Sequence, residues 1–257
     1  HAAALVAVRY SPAKARTRFA EAKADARTPD SILIERNHLV IGRPQAALED
    51  AAAKVDAVYT TPWHSHAPIE PHAATIHWDG DNLTVHDATQ MLNATAGSLA
   101  KVFGLKEGQV RVISPFVGGG FGGKGLWDHQ ILGAAAAKLA GRPVRLALTR
   151  KAMARLVGGR TQTEQRVALG ADGQGRLKAL IHTGHSVKPG HSACDEQYSL
   201  TARGLYAAES LETVQHHVDL DCLANTFMRA PGESIGTFAI ESAMDELAYG
   251  LDIDPVE

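Results

Sequence analysis

Between Val117 and Gly125 the chain reads Val-Gly-Gly-Gly-Phe-Gly-Gly-Lys-Gly. Glycine lets backbone come close to a ligand and adopts positive φ at no steric cost. Such a run, placed after a strand and before a helix, leaves backbone N–H groups facing open space, which suits an anion. The flanks fit this layout. Gln109-Val110-Arg111-Val112-Ile113-Ser114 is β-branched and reads as a strand. Leu132, Ala135, Ala136 and Leu139 recur at helical spacing, and Gly141 with Pro143 marks a helix stop.

Two familiar phosphate motifs fail on this run. Gly118, Gly120 and Gly123 satisfy a dinucleotide fingerprint, but the next strand, Val144 to Thr149, ends in Arg150 where an acidic residue is needed. Gly118 and Gly123-Lys124 begin a P-loop, yet Gly125 stands where a Mg²⁺-binding hydroxyl is required. A flexible linker is disfavoured, since linkers carry Ser and polar residues rather than an embedded Phe121 and a preceding strand.

Other residue types could also do chemistry. Arg229 precedes Ala230-Pro231-Gly232 and a helix start, and its guanidinium offers a fixed fork of donors for oxyanions. Taken alone it is equally well a surface residue bonding a carbonyl. His64-Ser65-His66, with Glu70, His72 and His77 nearby, has the H-x-H spacing of zinc hydrolases. Pro68 and Pro71 break the strand register, so a structural role is favoured, and a zinc hydrolase using His64 and His66 stays as an alternative. No Ser-His-Asp triad follows from spacing, and neither Ser114 nor Ser192 has the strained setting of a hydrolase nucleophile.

The elements that must position these residues are legible in part. Leu5 to Tyr10 reads as a strand, Ser11 to Asp30 as a connector, and Ile32-Leu33-Ile34 as a short apolar segment. Ala46 to Lys54 reads as a helix and Val55 to Thr60 as a strand. Asp79-Gly80 sits in a turn between strands Ala73 to Trp78 and Leu83 to Ala88. Asn93 caps a helix running to Phe103, with Gly104 beyond its end. Arg160 to Leu169 and Leu177 to Val187 form a second strand pair. Ile235, Phe238, Ala239, Ser242, Leu247 and Leu251 mark a last helix. The segment from His191 to Asn225 yields no clear element.

The chain has 257 residues, enough for one large or two modest domains. Its 26 Lys and Arg against 28 Asp and Glu give no electrostatic case for nucleic acid or an anionic membrane. Cys194 and Cys222 lack metal spacing, are too few for an iron–sulfur cluster, and read as buried free thiols. No apolar run approaches the roughly 20 residues that span a bilayer. The start, His1 to Leu5, has neither an initiator Met nor a signal-peptide layout, so the chain is expected to begin within a longer protein.

Three ordered motifs resemble the xanthine oxidase/aldehyde oxidase family of molybdenum hydroxylases. Val117 to Lys124 resembles the family's molybdopterin loop, Asp87-Ala88-Thr89-Gln90 its Thr-Gln segment, and Thr226 to Glu233 its second cofactor segment. Ile69-Glu70-Pro71-His72 and Gly141-Arg142-Pro143-Val144 also fall in the family's order. The resemblance covers nearly the whole chain and is nearest to bacterial aldehyde or isoquinoline oxidoreductases. It implies an α+β fold, the molybdopterin-binding domain of the large subunit, with mixed sheets and flanking helices. Residues 1–60 would close a preceding small α/β domain and add a connector, and residues 61–257 would form an incomplete first molybdopterin-binding domain.

The cofactor implied is molybdenum-molybdopterin in its cytosine dinucleotide form. Gln90, Gly119, Gly120, Phe121, Gly122, Gly123 and Arg229 would bind it, with Gln90, Phe121 and Arg229 near the metal and no protein ligand on it. The reaction implied is hydroxylation of an aldehyde or N-heterocycle with water as oxygen source. Its catalytic base, a Glu, is expected beyond Glu257, so this chain alone is expected to be inactive. Partners implied are the rest of the large subunit, an iron–sulfur subunit holding [2Fe-2S] clusters, and an FAD subunit. The compartment implied is cytoplasmic, with periplasmic export alongside partner subunits as the alternative. Purines are not the expected substrate, since Gly125 and Pro231 stand where purine hydroxylases carry a Glu and a Phe. A scaffold or assembly fragment of the same fold without metal is the other reading.

Overall fold

The computed structural model describes residues 2–125 and 128–256, so the end residues His1 and Glu257 named above lie outside it. In chain order the elements begin with α1 (Phe19–Ala22), β1 (Ser31–Ile32), β2 (Glu35–Arg36), β3 (Leu39–Ile41), α2 (Pro44–Glu49) and β4 (Ala53–Thr61). There follow β5 (Ala73–Asp79), β6 (Asn82–Asp87), α3 (Leu92–Phe103), β7 (Val110–Ile113), α4 (Asp128–Ala140) and β8 (Val144–Ala147). The chain continues through α5 (Arg150–Leu156), β9 (Thr163–Ala171), β10 (Leu177–Val187), α6 (Thr201–Leu205), β11 (Ser210–Val218) and α7 (Glu233–Leu251).

The two strand pairs read from turn residues become the centres of two sheets. β5 and β6 pair antiparallel with Asp79 opposite Asn82, and β7 and β8 add to give the order β7-β6-β5-β8. β9 and β10 pair antiparallel within the order β3-β11-β10-β9-β4. Each sheet is mixed, since β6 runs parallel to β7 and β10 parallel to β11. Helices flank both, and the architecture is the α+β one expected.

Period-2 burial explains the layering. Ala74, Ile76, Leu83 and Val85 face one side of the four-stranded sheet, where Leu99 and Ala100 of α3 and Ala134 and Ala137 of α4 cover them. Val167, Leu169, Ala171 and Leu180 of the five-stranded sheet meet Ala239, Ile240, Ala243 and Leu247 of α7. The opposite face of that sheet takes Leu48 of α2 on Ala168, Ala179 and Ile181. β3 and β4 lie within residues 39–61 but pair with β11 and β9, within the sheet of the later residues.

Some expectations are corrected. Leu5 to Tyr10 forms no strand: residues 2–5 make a 3-10 helix and the rest carries no ladder, with Leu5 and Tyr10 each 86% exposed. Apolar alternation alone cannot make a strand where no neighbouring edge satisfies its backbone. The helix expected at 46–54 is instead α2, starting at Pro44, and Ala53-Lys54 already belong to β4. Asn93 does not cap α3; Met91 holds the cap position and its N–H donates to Thr89 Oγ1 at 3.1 Å. Cys194 is buried, but Cys222 is exposed. α5, β3, α6 and β11 were not read from the sequence. Among the described residues no helix is long and apolar enough to cross a membrane.

One buried histidine in this core predicts an acid response. His182 in β10 donates from Nε2 to Gln165 Oε1 at 2.9 Å, and burial pushes its pKa down to about 3 from 6.5. The folded state keeps it neutral, whereas the unfolded chain protonates it below 6.5. Its contribution is therefore intact above that value and is lost as pH falls toward about 3. His217, pushed down to about 4 chiefly by burial, acts in the same direction. Thermal midpoints measured from pH 7 downward are expected to fall across this window, and less steeply in His182→Gln. Equal slopes for the two proteins would refute the assignment.

Candidate functional site

Three loops meet at the ends of these elements. The first leaves β6 through Thr89 and Gln90, the second is the glycine run after β7, and the third is Phe227 to Gly232 ahead of α7. Backbone bonds tie them together. Gln90 N–H donates to Lys124 O at 2.8 Å, and Arg229 N–H donates to Phe121 O at 2.9 Å.

The Gln90 carboxamide is the hub of the first junction. Its Oε1 accepts from the N–H groups of Gly122 (3.0 Å) and Lys124 (3.3 Å). Its NH₂ has no protein partner among the described residues, and Gln90 lines a cleft of about 510 Å³ with Gly120, Phe121, Gly122, Phe227, Met228, Arg229 and Pro231. A Cβ built on Gly120 would stand 2.2 Å from Gln90 Oε1, so only glycine admits this approach. A second cleft of about 450 Å³ shares Phe121, Met228 and Arg229 and adds His64, Ser65, His66, Arg160, Ala230 and Ser234.

The glycine run is less open than its composition suggests. Gly118 N–H is taken by Glu70 Oε2 at 2.8 Å, and Gly122 and Lys124 N–H by Gln90. The N–H groups of Gly120 and Phe121 keep no protein partner among the described residues. Gly119 and Gly123 are not among the residues lining either cleft; Gly119 packs against Pro68 and the Phe121 ring, and Gly123 against the His66 ring. Phe121 itself adopts φ 54 and is 43% exposed, so its ring lines the clefts and does not serve as the buried loop anchor that its type suggests.

Positioning groups surround these loops. Lys124 is buried at the loop's end with its ammonium 2.5 Å from Glu70 Oε2. That hydrogen bond, more than any other influence, holds the Glu70 carboxyl below its usual range. His72 donates from Nε2 to Gly123 O, and His66 from Nε2 to Phe227 O, each at 2.7 Å. Burial lowers both imidazoles, which favours the neutral form such single donation needs. The zinc alternative meets this directly. The His66 Nε2 is committed to a carbonyl, His64 is exposed, and no group of three metal-type side chains is gathered among the described residues.

Behind the third loop lies a pair that sequence reasoning missed. Arg160 Nη2 donates to the carbonyls of Met228, Arg229 and Ala230, and Glu196 accepts from Gly232 N–H at 2.6 Å. Burial raises the Glu196 pKa. No spacing signal could have joined Arg160 to residues 68 to 70 positions away.

The arrangement thus gathers unpartnered donors of one kind: Gln90 NH₂, the N–H groups of Gly120 and Phe121, and the Arg229 guanidinium, for which no hydrogen bond or ion pair exists among the described residues. No carboxylate lines either cleft. Such a cradle fits an oxygen-rich, anionic group.

Comparison with known proteins identifies the family. Residues 26–257 match the model of the molybdopterin cofactor-binding domain. The chain is 38% identical over 258 residues to the aldehyde oxidoreductase molybdenum-binding subunit PaoC of Escherichia coli, covering 100% of this chain and 35% of that protein. It is 29% identical over 247 residues to the putative xanthine dehydrogenase molybdenum-binding subunit XdhA of E. coli, covering 88% of this chain and 31% of that one. The fold superimposes on quinoline 2-oxidoreductase from Pseudomonas putida 86 with a TM-score of 0.84 at 24% identity, over 99% of this chain and 34% of that chain. The chain spans about a third of the length of these relatives.

Proposed function

The chain belongs to the molybdopterin cofactor-binding domain family, and on that premise we propose that its three loops hold the molybdenum cofactor of an aldehyde-oxidising enzyme. The observation that carries this reading is the meeting of Gln90, Gly120, Phe121 and Arg229 at one cleft, with the Gln90 NH₂, the Gly120 and Phe121 N–H groups and the Arg229 guanidinium unpartnered among the described residues. When bound, the cofactor supplies a two-electron acceptor and the means of placing a water-derived oxygen on carbon. Every other task falls to protein groups. The Gln90 amide would donate to an oxygen of the bound cofactor. The Gly120 and Phe121 N–H groups would hold its anionic part. Arg229 stabilises negative charge, with a donor geometry fixed before the reaction begins.

The aldehyde class is supported by the 38% identity with an aldehyde oxidoreductase subunit along the whole chain, and by Gly125 and Pro231, which offer a purine neither a carboxylate nor a stacking ring. No carboxylate lines either cleft among the described residues, and the proton acceptor is taken to be the Glu that the family resemblance implies elsewhere in the subunit. Electrons leave through iron–sulfur and FAD partner subunits, and the cofactor is the cytosine dinucleotide form. The test is metal analysis of the full-length subunit purified with its partners. Stoichiometric molybdenum is expected, and zinc without molybdenum would overturn the reading.

A further inference from the structure

We propose that Arg160 and Glu196 are positioning residues that fix the stance of the Arg229 guanidinium toward the anionic part of the cofactor, an inference that rests on the reading above. Arg160 is buried, yet its Nη2 donates to three successive carbonyls: Met228 at 3.0 Å, Arg229 at 2.6 Å and Ala230 at 3.0 Å. Carbonyl dipoles aimed at one point repel each other unless a cation stands at the focus. Arg160 is that cation. Its Nε lies 3.4 Å from Glu196 Oε1, and the other Glu196 oxygen takes Gly232 N–H at 2.6 Å. The turn between them is one that a chain does not adopt freely. Ala230 sits at φ 57, where a side chain is disfavoured, and Gly232 at φ 81.

From the opposite side, Arg229 N–H donates to Phe121 O at 2.9 Å. The Arg229 backbone is therefore gripped from two directions while no protein group among those described holds its side chain. A fixed backbone under an unpaired guanidinium preorganises a charge for a ligand.

The experiment uses the full-length subunit with its partners, as Arg160→Lys and Glu196→Gln, each in the wild-type and the Arg229→Gln background. Arg160→Lys keeps the charge but loses the fork, and Glu196→Gln keeps an acceptor for Gly232. Turnover per bound molybdenum is expected to fall about tenfold to a hundredfold in either variant, the scale of lost charge-assisted bonds. In the Arg229→Gln background the same changes are expected to cost less than about threefold, because residues acting through one group are not additive. Hydrogen exchange in the cofactor-free complex is an independent readout. At Arg229 and Gly232 it is expected to quicken at least about tenfold in both variants, with the thermal midpoint nearly held. Equal losses in both backgrounds, or unchanged exchange at Arg229, would overturn the proposal and leave the cofactor reading standing. A wild-type complex without molybdenum would overturn the cofactor reading, and the exchange result would still decide whether the pair holds the turn.

Discussion

Gly122→Ala is expected to leave the purified subunit with less than about a tenth of the wild-type molybdenum, since about 1–3 kcal/mol of backbone strain set against cofactor binding costs about tenfold or more. A Cβ at this position would lie 2.2 Å from the Phe227 carbonyl oxygen and 2.8 Å from its carbon. Both are backbone atoms, so no side chain can rotate away to relieve the overlap. The residue also adopts φ 96, a conformation that alanine resists. Either the glycine run or the Phe227–Met228 backbone must shift. Both are cleft walls, and the Arg229-to-Phe121 bond joins them one residue away on each side. Gly122 N–H would also be pulled from Gln90 Oε1.

Gly104→Ala separates strain from crowding. Gly104 has φ 67 at the end of α3 but nothing within 4 Å of its would-be Cβ. It is expected to lose about 1 kcal/mol of stability from backbone strain and to keep its molybdenum. Metal content and thermal midpoint are measured together. Wild-type molybdenum in Gly122→Ala would show that the run does not line the cofactor site.

These residues also show what a sequence can and cannot carry. The glycine run and the Arg229 segment were legible because each is a local string whose residue types have a reason to be adjacent, whereas Gln90 was marked only by the family resemblance. Their meeting in one cleft followed from loops gathering at element ends. The sheets were legible where a turn signal sat between two alternating runs, as at Asp79-Gly80. β3 and β11 were not, because their pairing spans Leu39 to Thr213 and no turn announces it. The groups that hold the loops were invisible for the same reason. Arg160 works through three carbonyls, and any residue has a carbonyl, so nothing in the sequence marks its partners. His66 and His72 drew notice as a cluster, but each turned out to serve one backbone oxygen. Leu5 to Tyr10 shows the converse error, since its alternation had no edge to pair with.

Glu70→Ala is expected to destabilise the subunit far more than Lys124→Met does, although the two side chains form one ion pair. The Lys124 side chain is 0% exposed and the Glu70 side chain 41%. Removing the carboxylate strands a buried ammonium that has no other partner among the described residues. Removing one member of a buried pair costs about 3–5 kcal/mol, and water access on the Glu70 side brings the expectation to about 2–3 kcal/mol. The same change frees Gly118, whose N–H donates to Glu70 Oε2 at 2.8 Å. Lys124→Met leaves an apolar chain in an enclosed space and a carboxylate that reaches water and still accepts from Gly118, so its cost is expected to stay below about 1.5 kcal/mol. The double variant is then expected to recover most of what Glu70→Ala loses, because the stranded charge is gone. Acid supplies a second check. Lys124 hydrogen bonding lowers the folded pKa of Glu70 below its ordinary 4.5. The carboxylate's contribution is therefore complete above that value and is lost as pH falls through the lowered folded pKa. The difference in thermal midpoint between wild type and Glu70→Ala is expected to narrow over that acid range. Equal destabilisation by Glu70→Ala and Lys124→Met at neutral pH would mean that the buried ammonium is not what the carboxylate holds in place.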